Sequence, residues 1–143
     1  MNLAFFLKPK SMVAYLYDDY SLRKGLTKLL ESGSSALAVL DREGKYVGMV
    51  SEGDFLRYLA ERPHTVEELH ETKLASLLHT DCARGVPVTT SVEELLGLAA
   101  EQELIPVVDD FDSFIGIVRR SDVMEGLCLL PNTSAGTASP YPT

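Results

Sequence analysis

Residues 36–59 read ALAVLDREGKYVGMVSEGDFLRYL, and residues 104–127 read LIPVVDDFDSFIGIVRRSDVMEGL. Laid over each other without a gap, both place an apolar run, an aspartate, a second apolar run with a glycine inside it, and a further aspartate at matching positions. Asp41 is followed by Gly48 after seven residues and by Asp54 after six more; Asp109, Gly116 and Asp122 repeat those intervals. Upstream, after a two-residue adjustment, SLRKGLTKLLESG from Ser21 lies over SVEELLGLAAEQE from Ser91. Two intervals and the same apolar pattern around them mark an internal duplication.

Each copy has the same expected structure. Ser21 caps a helix with Leu22, Leu26, Leu29 and Leu30 on its inner face. Ser91 and Glu94 form a capping box for the matching helix, with Val92, Leu95, Leu96 and Ala99 inward. Ala36–Leu40 and Ile105–Val108 are short and valine-rich, which fits buried strands. Polar turns at 41–45 and 109–113 return the chain through Tyr46–Val50 and Phe114–Val118, so each pair is a hairpin. A second helix follows, carrying Phe55, Leu56 and Leu59 in one copy and Val123, Met124 and Leu127 in the other. Extended pieces at Val13–Tyr17 and Val86–Thr89 precede the first helices. The fold class is therefore α+β, with a β-α-β-β-α unit written twice. A unit of this size buries too little apolar surface alone, so the halves should pack sheet on sheet and share a core. The expected boundaries are 1–62 for the first repeat, 63–73 for a connector restarted as a helix by Thr65 and Glu68, and 74–130 for the second repeat. Residues 131–143 (PNTSAGTASPYPT) are uncharged and are expected to be a disordered or loosely packed tail.

Composition excludes several classes. The chain has 143 residues, 45% hydrophobic and 24% charged, with 13 basic and 21 acidic residues and a formal charge of -8. That field opposes nucleic acid and anionic membranes. No run approaches the length of a membrane span. The apolar part of MNLAFFLKPK is too short for a secretion signal, so a cytoplasmic location with Cys82 and Cys128 as reduced thiols is expected. Cys128 falls on an apolar helix face and is expected to be a buried, inert thiol. His79, Asp81 and Cys82 fit no standard metal spacing. His64 and His70 sit among polar residues and are expected on a solvated face. No Walker loop, dinucleotide-binding glycine motif or nucleophile elbow is present, and no nucleophile–base pair suggests catalysis.

The chemistry concentrates where strand meets helix. Gly-x-x-Ser-x-x-Asp at 48–54 puts free backbone N–H groups, the Ser51 hydroxyl and the Asp54 carboxylate at one junction. Helix N-termini attract anions. A carboxylate accepts two hydrogen bonds from the cis hydroxyls of a ribose. Apolar strand residues beside it can flank a flat base. The competing reading is a simple helix cap.

These stretches resemble the cystathionine-β-synthase-type (CBS) domain, and two in tandem resemble a Bateman module, over roughly residues 1–130. The resemblance implies two repeats around a pseudo-twofold axis with two clefts that bind adenosine compounds. In that family AMP, ADP, ATP, S-adenosylmethionine, NAD or cyclic dinucleotides fill them. It assigns Asp54 and Asp122 to the ribose and Ser51 to phosphate. The second motif carries Arg119 where the family has Ser or Thr: the guanidinium either grips a phosphate or fills the cleft by pairing with Asp122. Arg120 either reaches the same anion or is solvated. Ala36 and its bulkier counterpart Leu104 lie beside the base pocket, and Tyr15 either stacks on a base or covers a dimer face. The expected function is an AMP-, ADP- or ATP-type sensor, not an enzyme, with no required cofactor, acting as a homodimer on an unidentified effector protein. The alternative is a ligand-free dimerisation adaptor with decayed clefts.

Overall fold

The computed structural model describes residues 2–62, 66–78 and 84–129. Its regular elements run β1 (Lys8–Pro9), β2 (Tyr15–Tyr17), α1 (Leu22–Ser32), β3 (Ala36–Leu40), β4 (Tyr46–Ser51), α2 (Glu52–Glu61), α3 (Val66–Glu71), β5 (Val86–Pro87), α4 (Val92–Glu101), β6 (Leu104–Val108), β7 (Phe114–Arg119) and α5 (Arg120–Leu129). The β-α-β-β-α unit occurs twice, as β2-α1-β3-β4-α2 and β5-α4-β6-β7-α5. In both units the first strand pairs parallel with the second, and the second pairs antiparallel with the third. The helices start where the serines predict: Ser21 Oγ accepts the Lys24 N–H and Ser91 Oγ accepts the Glu94 N–H. Such a cap stabilises its helix by about 1 kcal/mol. Gly33 ends α1 with φ 72°, the left-handed geometry that suits a residue without Cβ.

The two sheets meet through their hairpin turns. Tyr46 N donates to Asp112 O, and its counterpart Phe114 N donates to Gly44 O, both at 3.0 Å. This reciprocal pair is what a twofold relation between the repeats requires. The rings follow: Tyr46 and Phe114 stack, and Tyr15 tilts against Phe114. Ala38, Leu40 and Phe114 form a small buried cluster at this junction. Each unit also keeps a larger core, built on Leu16, Leu29, Val39 and Phe55 in the first and on Leu95, Ile105, Val107 and Val118 in the second.

Packing crosses the sequence boundaries. The 3₁₀ turn Leu3–Phe6 belongs by position to the first repeat, yet Leu3 and Phe6 are buried in the core of the second. β1 then joins the second sheet, antiparallel to β7, with Lys8 opposite Ile117 and Pro9 opposite Gly116. A Cβ on Gly116 would collide with the Lys8 carbonyl oxygen, so the glycine admits this backbone. Conversely, the 3₁₀ turn Leu74–Leu77 lies in the sequence of the second repeat but buries Leu74 and Leu77 in the first core.

Some expected inward residues face outward. Leu30, Leu56 and Met124 are well exposed, and Leu96 and Leu127 less so. The helices bury Leu22, Leu29, Phe55, Leu95, Ala99 and Val123 instead. One helix face against one sheet has room for a single stripe, and the apolar residues beyond that stripe are left outside. Cys128 is likewise exposed, not buried. Thr65, His64, His79, Asp81, Cys82 and the tail 131–143 lie outside the described residues. Among the described residues no helix is long and apolar enough to cross a membrane, and no group of acidic, histidine or cysteine side chains is placed to hold a metal ion.

Candidate functional site

Both strand-to-helix junctions form, and each is pinned to the opposite end of its hairpin. Glu52 N donates to Ser35 O and Arg120 N donates to Glu103 O. The start of each second helix therefore sits beside the start of β3 or β6. At the first junction Ser51 and Asp54 form a full capping box. Asp54 N donates to Ser51 Oγ at 3.2 Å, and Ser51 N donates to Asp54 Oδ2 at 2.8 Å. Arg57 adds a hydrogen bond to Asp54 Oδ1 at 2.6 Å. Ser51 and Asp54 also line a cavity of about 300 Å³ with Ala36, Met49, Glu103 and Leu104. The two carboxylates there, Asp54 and Glu103, make an uncompensated approach costly for a phosphate.

The second junction is built differently. Arg119 Nε and Nη2 donate to Asp122 Oδ2 and Oδ1 at 2.8 and 2.9 Å, a two-point ion pair. The Arg119 guanidinium holds the Asp122 carboxyl below the usual carboxylate range, against the opposing effect of partial burial, and Lys8 adds its charge. The same contact raises the Arg119 pKa. Of the two alternatives left open for Arg119, pairing with Asp122 is the one present. It does not exhaust the side chain. A guanidinium has five N–H donors, and two are engaged.

A cavity of about 160 Å³ lies between the repeats on this side. Ala36, Ala38, Leu104 and Ile117 supply apolar wall, and Lys8 and Arg119 supply positive charge. Ala36 and Leu104 each face both cavities, because β3 and β6 begin next to the pseudo-twofold axis. Six of the eight residues singled out from sequence (Ser51, Asp54, Ala36, Leu104, Arg119 and Asp122) therefore line the two clefts or the adjoining groove.

Two are placed elsewhere. Arg120 donates Nε to Ala99 O at 2.7 Å and so caps the end of α4; it is neither on the anion site nor simply solvated. Tyr15 packs against Tyr17 and Phe114, under Lys10, at the junction of the sheets. Burial, then its bond with Tyr17, raises the Tyr15 hydroxyl pKa. Sequence reasoning missed Lys8, Met12 and Val13, which close the second cleft from the N-terminal arm. Their only local signal is the basic LKPK stretch, and no periodicity places it.

The chain is 32% identical over 112 residues to the A-adding tRNA nucleotidyltransferase of Aquifex aeolicus, covering 78% of this chain and 13% of that protein. It spans about a fifth or less of the length of the curated relatives it matches. Among solved structures it superposes on the Listeria monocytogenes CbpB protein in complex with c-di-AMP with a TM-score of 0.78, at 25% identity, over 88% of this chain and 94% of that one. It superposes on CBSX2 in complex with AMP with a TM-score of 0.72, at 24% identity, over 89% and 96% of the two chains. The family model described as CBS domain matches twice, at residues 9–61 and 80–128. With two matching repeats, two sheets in the same register and both strand-to-helix motifs in place, the chain belongs to the CBS domain family as a tandem pair.

Proposed function

We propose that this tandem CBS pair is a regulatory module that binds an adenine nucleotide of the AMP, ADP or ATP type in the Arg119 cleft. The cavity between Lys8 and Arg119 carries the reading: it combines two cationic side chains with an apolar slot. The base lies against Ala36, Leu104 and Ile117. The phosphate meets Lys8 and the three N–H groups of Arg119 that Asp122 leaves free. The ribose hydroxyls meet the remaining lone pairs of Asp122. Related complexes support the ligand class: CbpB is in complex with c-di-AMP and CBSX2 with AMP. A ligand touching β3, β6, β7 and the N-terminal arm at once favours the closed arrangement of the repeats, and a partner protein reads the changed surface. We place the protein in the cytoplasm, without catalysis of its own. We further propose that it works as a homodimer, through the apolar side chains exposed on α2 and α5.

The second reading is a ligand-free adaptor. The engagement of Asp122 by Arg119 and of Asp54 by Arg57 favours it. A thermal-shift panel of AMP, ADP, ATP, c-di-AMP and GTP separates the two. A ligand at a hundred times its dissociation constant adds about 2.7 kcal/mol of stability. The sensor shows such a gain with an adenine compound, abolished by Arg119→Ala and kept by Asp54→Ala. No gain with any nucleotide leaves the adaptor.

A further inference from the structure

The 3₁₀ turns LAFF (residues 3–6) and LASL (residues 74–77) are twofold counterparts, one docked on each repeat. Their buried positions match, Leu3 with Leu74 and Phe6 with Leu77. The third position does not: Phe5 is 56% exposed, and its counterpart is Ser76. α5, against which LAFF packs, differs from α2 at the facing positions. Gly126 and Leu129 stand where α2 has Tyr58 and Glu61, and Leu129 is 81% exposed. The fold accepts serine, tyrosine and glutamate here, so it does not require the apolar surface that the second repeat leaves in water.

Gly126 makes room for that surface. A Cβ there would collide with the Phe6 ring and touch Phe5, whose rings meet edge to face at 5.0 Å. Glycine weakens a helix interior relative to alanine, so the opening is kept at a cost to α5. What opens is a groove of about 380 Å³ between the N-terminal arm and α5, with Phe5, Met12 and Leu129 as its exposed apolar wall. Asp122, Glu125, Gly126 and Leu129 face it at helical spacing, and Met124 and Leu127 fall on the other side of α5. The groove is thus separate from the apolar side chains assigned above to the homodimer.

The groove and the Arg119 cleft share Lys8, Met12 and Arg119 as a common wall. The cleft alone, at about 160 Å³, is smaller than the roughly 300 Å³ at which small-molecule pockets begin. A nucleotide seated there meets both cations at its phosphate and continues into the groove. Beyond them the wall is apolar along two helical turns of α5, about 10 Å from Asp122 to Leu129. Glu125 on that wall opposes a further run of phosphates.

From this continuity we propose that the ligand of the Arg119 cleft is an adenine nucleotide carrying an apolar chain on its phosphate, with the chain in the groove on Phe5, Met12 and Leu129. Lys8 and Arg119 neutralise the phosphate at the junction, and burial of the chain adds affinity that AMP, ADP and ATP lack. The inference rests on the nucleotide reading of the cleft and adds the class of nucleotide. Two linkages have this chemistry: an acyl adenylate, with the chain directly on the phosphate, and an acyl thioester of coenzyme A, with a pantetheine arm between.

Calorimetric titration of the full chain tests it with AMP, the octyl ester of AMP, coenzyme A, octanoyl-coenzyme A and NAD. The octyl ester binds about tenfold or more tightly than AMP, or octanoyl-coenzyme A than coenzyme A, and the pair with the larger gain names the linkage. Phe5→Ser and Leu129→Glu install the first repeat's residues; each removes most of that gain and leaves AMP binding within about twofold of the parent. AMP binding with no gain in either pair overturns the apolar chain while the nucleotide reading stands. A gain that survives both variants overturns the groove as its place. NAD bound as tightly as the octyl ester, and lost with the same variants, gives the groove to a second ring and overturns the chain. No gain, with a dimer that Leu129→Glu dissociates on sedimentation, gives the groove to a second copy instead. Binding of none of the five overturns the nucleotide reading itself, and this inference with it.

Discussion

Arg119 holds both carboxylate oxygens of Asp122 at 2.8 and 2.9 Å, one helical turn away in sequence. A carboxyl with a folded pKa below its unfolded one stabilises the fold above the unfolded pKa. That contribution fades as the pH falls through the folded value. The contribution of this pair should therefore be constant above about pH 5 and decline below about pH 4. Arg119 is 40% exposed, so solvent screening limits the pair to about 0.5–1 kcal/mol. Urea unfolding from neutral to acid pH should show a smaller decline in Asp122→Asn than in the parent. Equal slopes would remove the pair from the account of acid sensitivity.

Gly116 couples the N-terminal arm to the cleft. Gly116→Val forces a side chain against the Lys8 backbone and should cost about 1–3 kcal/mol. Because β1 carries Lys8 into the cleft wall, the same variant should also weaken nucleotide binding. Lys8→Ala should weaken it with little loss of stability. Calorimetric titration of both variants checks the coupling. Unchanged affinity in Gly116→Val would show that the arm is not part of the binding wall.

Leu3 is fully buried although it stands at the start of the chain. Leu3→Ala should cost about 2–5 kcal/mol, as for an interior leucine. Leu74→Ala should cost a similar amount through the other core. Denaturant midpoints measure both. A change under about 0.5 kcal/mol at Leu3 would mean the arm is undocked in solution.

Cys128 is on the surface, so a thiol reagent should modify it in the native protein without unfolding. Mass spectrometry of the labelled peptide after brief exposure reads this directly. Protection until denaturant is added would place Cys128 itself inside the proposed contact on α5, whereas rapid labelling leaves it at the edge of that contact.

The duplicated unit was legible in the sequence because its signals are local. Serine caps, valine-rich runs and polar turns recur at fixed spacing, and the structure builds the strands and helices where they fall. The junction motifs were legible for the same reason, down to Asp54 and Asp122. What escaped is non-local. Nothing near Lys8 announces that it will pair with Ile117, more than a hundred residues on. Leu56, Met124 and Cys128 look inward by helix periodicity, but the outer limit of the apolar stripe is set by the sheet behind it. Arg120 looked like part of the anion site because it adjoins Arg119; the carbonyl that takes its guanidinium lies at the end of a different helix.

The exchange of 3₁₀ turns between repeats has a consequence for synthesis. Leu3 and Phe6 leave the ribosome more than a hundred residues before Val118 and Val123, which complete the core that receives them. Leu74 and Leu77, by contrast, emerge when their site on the first repeat already exists. This apolar segment is thus made before either repeat and buried only with the second. Loop closure over that distance is slow, and the exposed segment invites aggregation in the interval. A nascent chain that has passed Leu77 but not reached the second repeat holds one finished core and one unclaimed hydrophobic arm, a natural substrate for a chaperone.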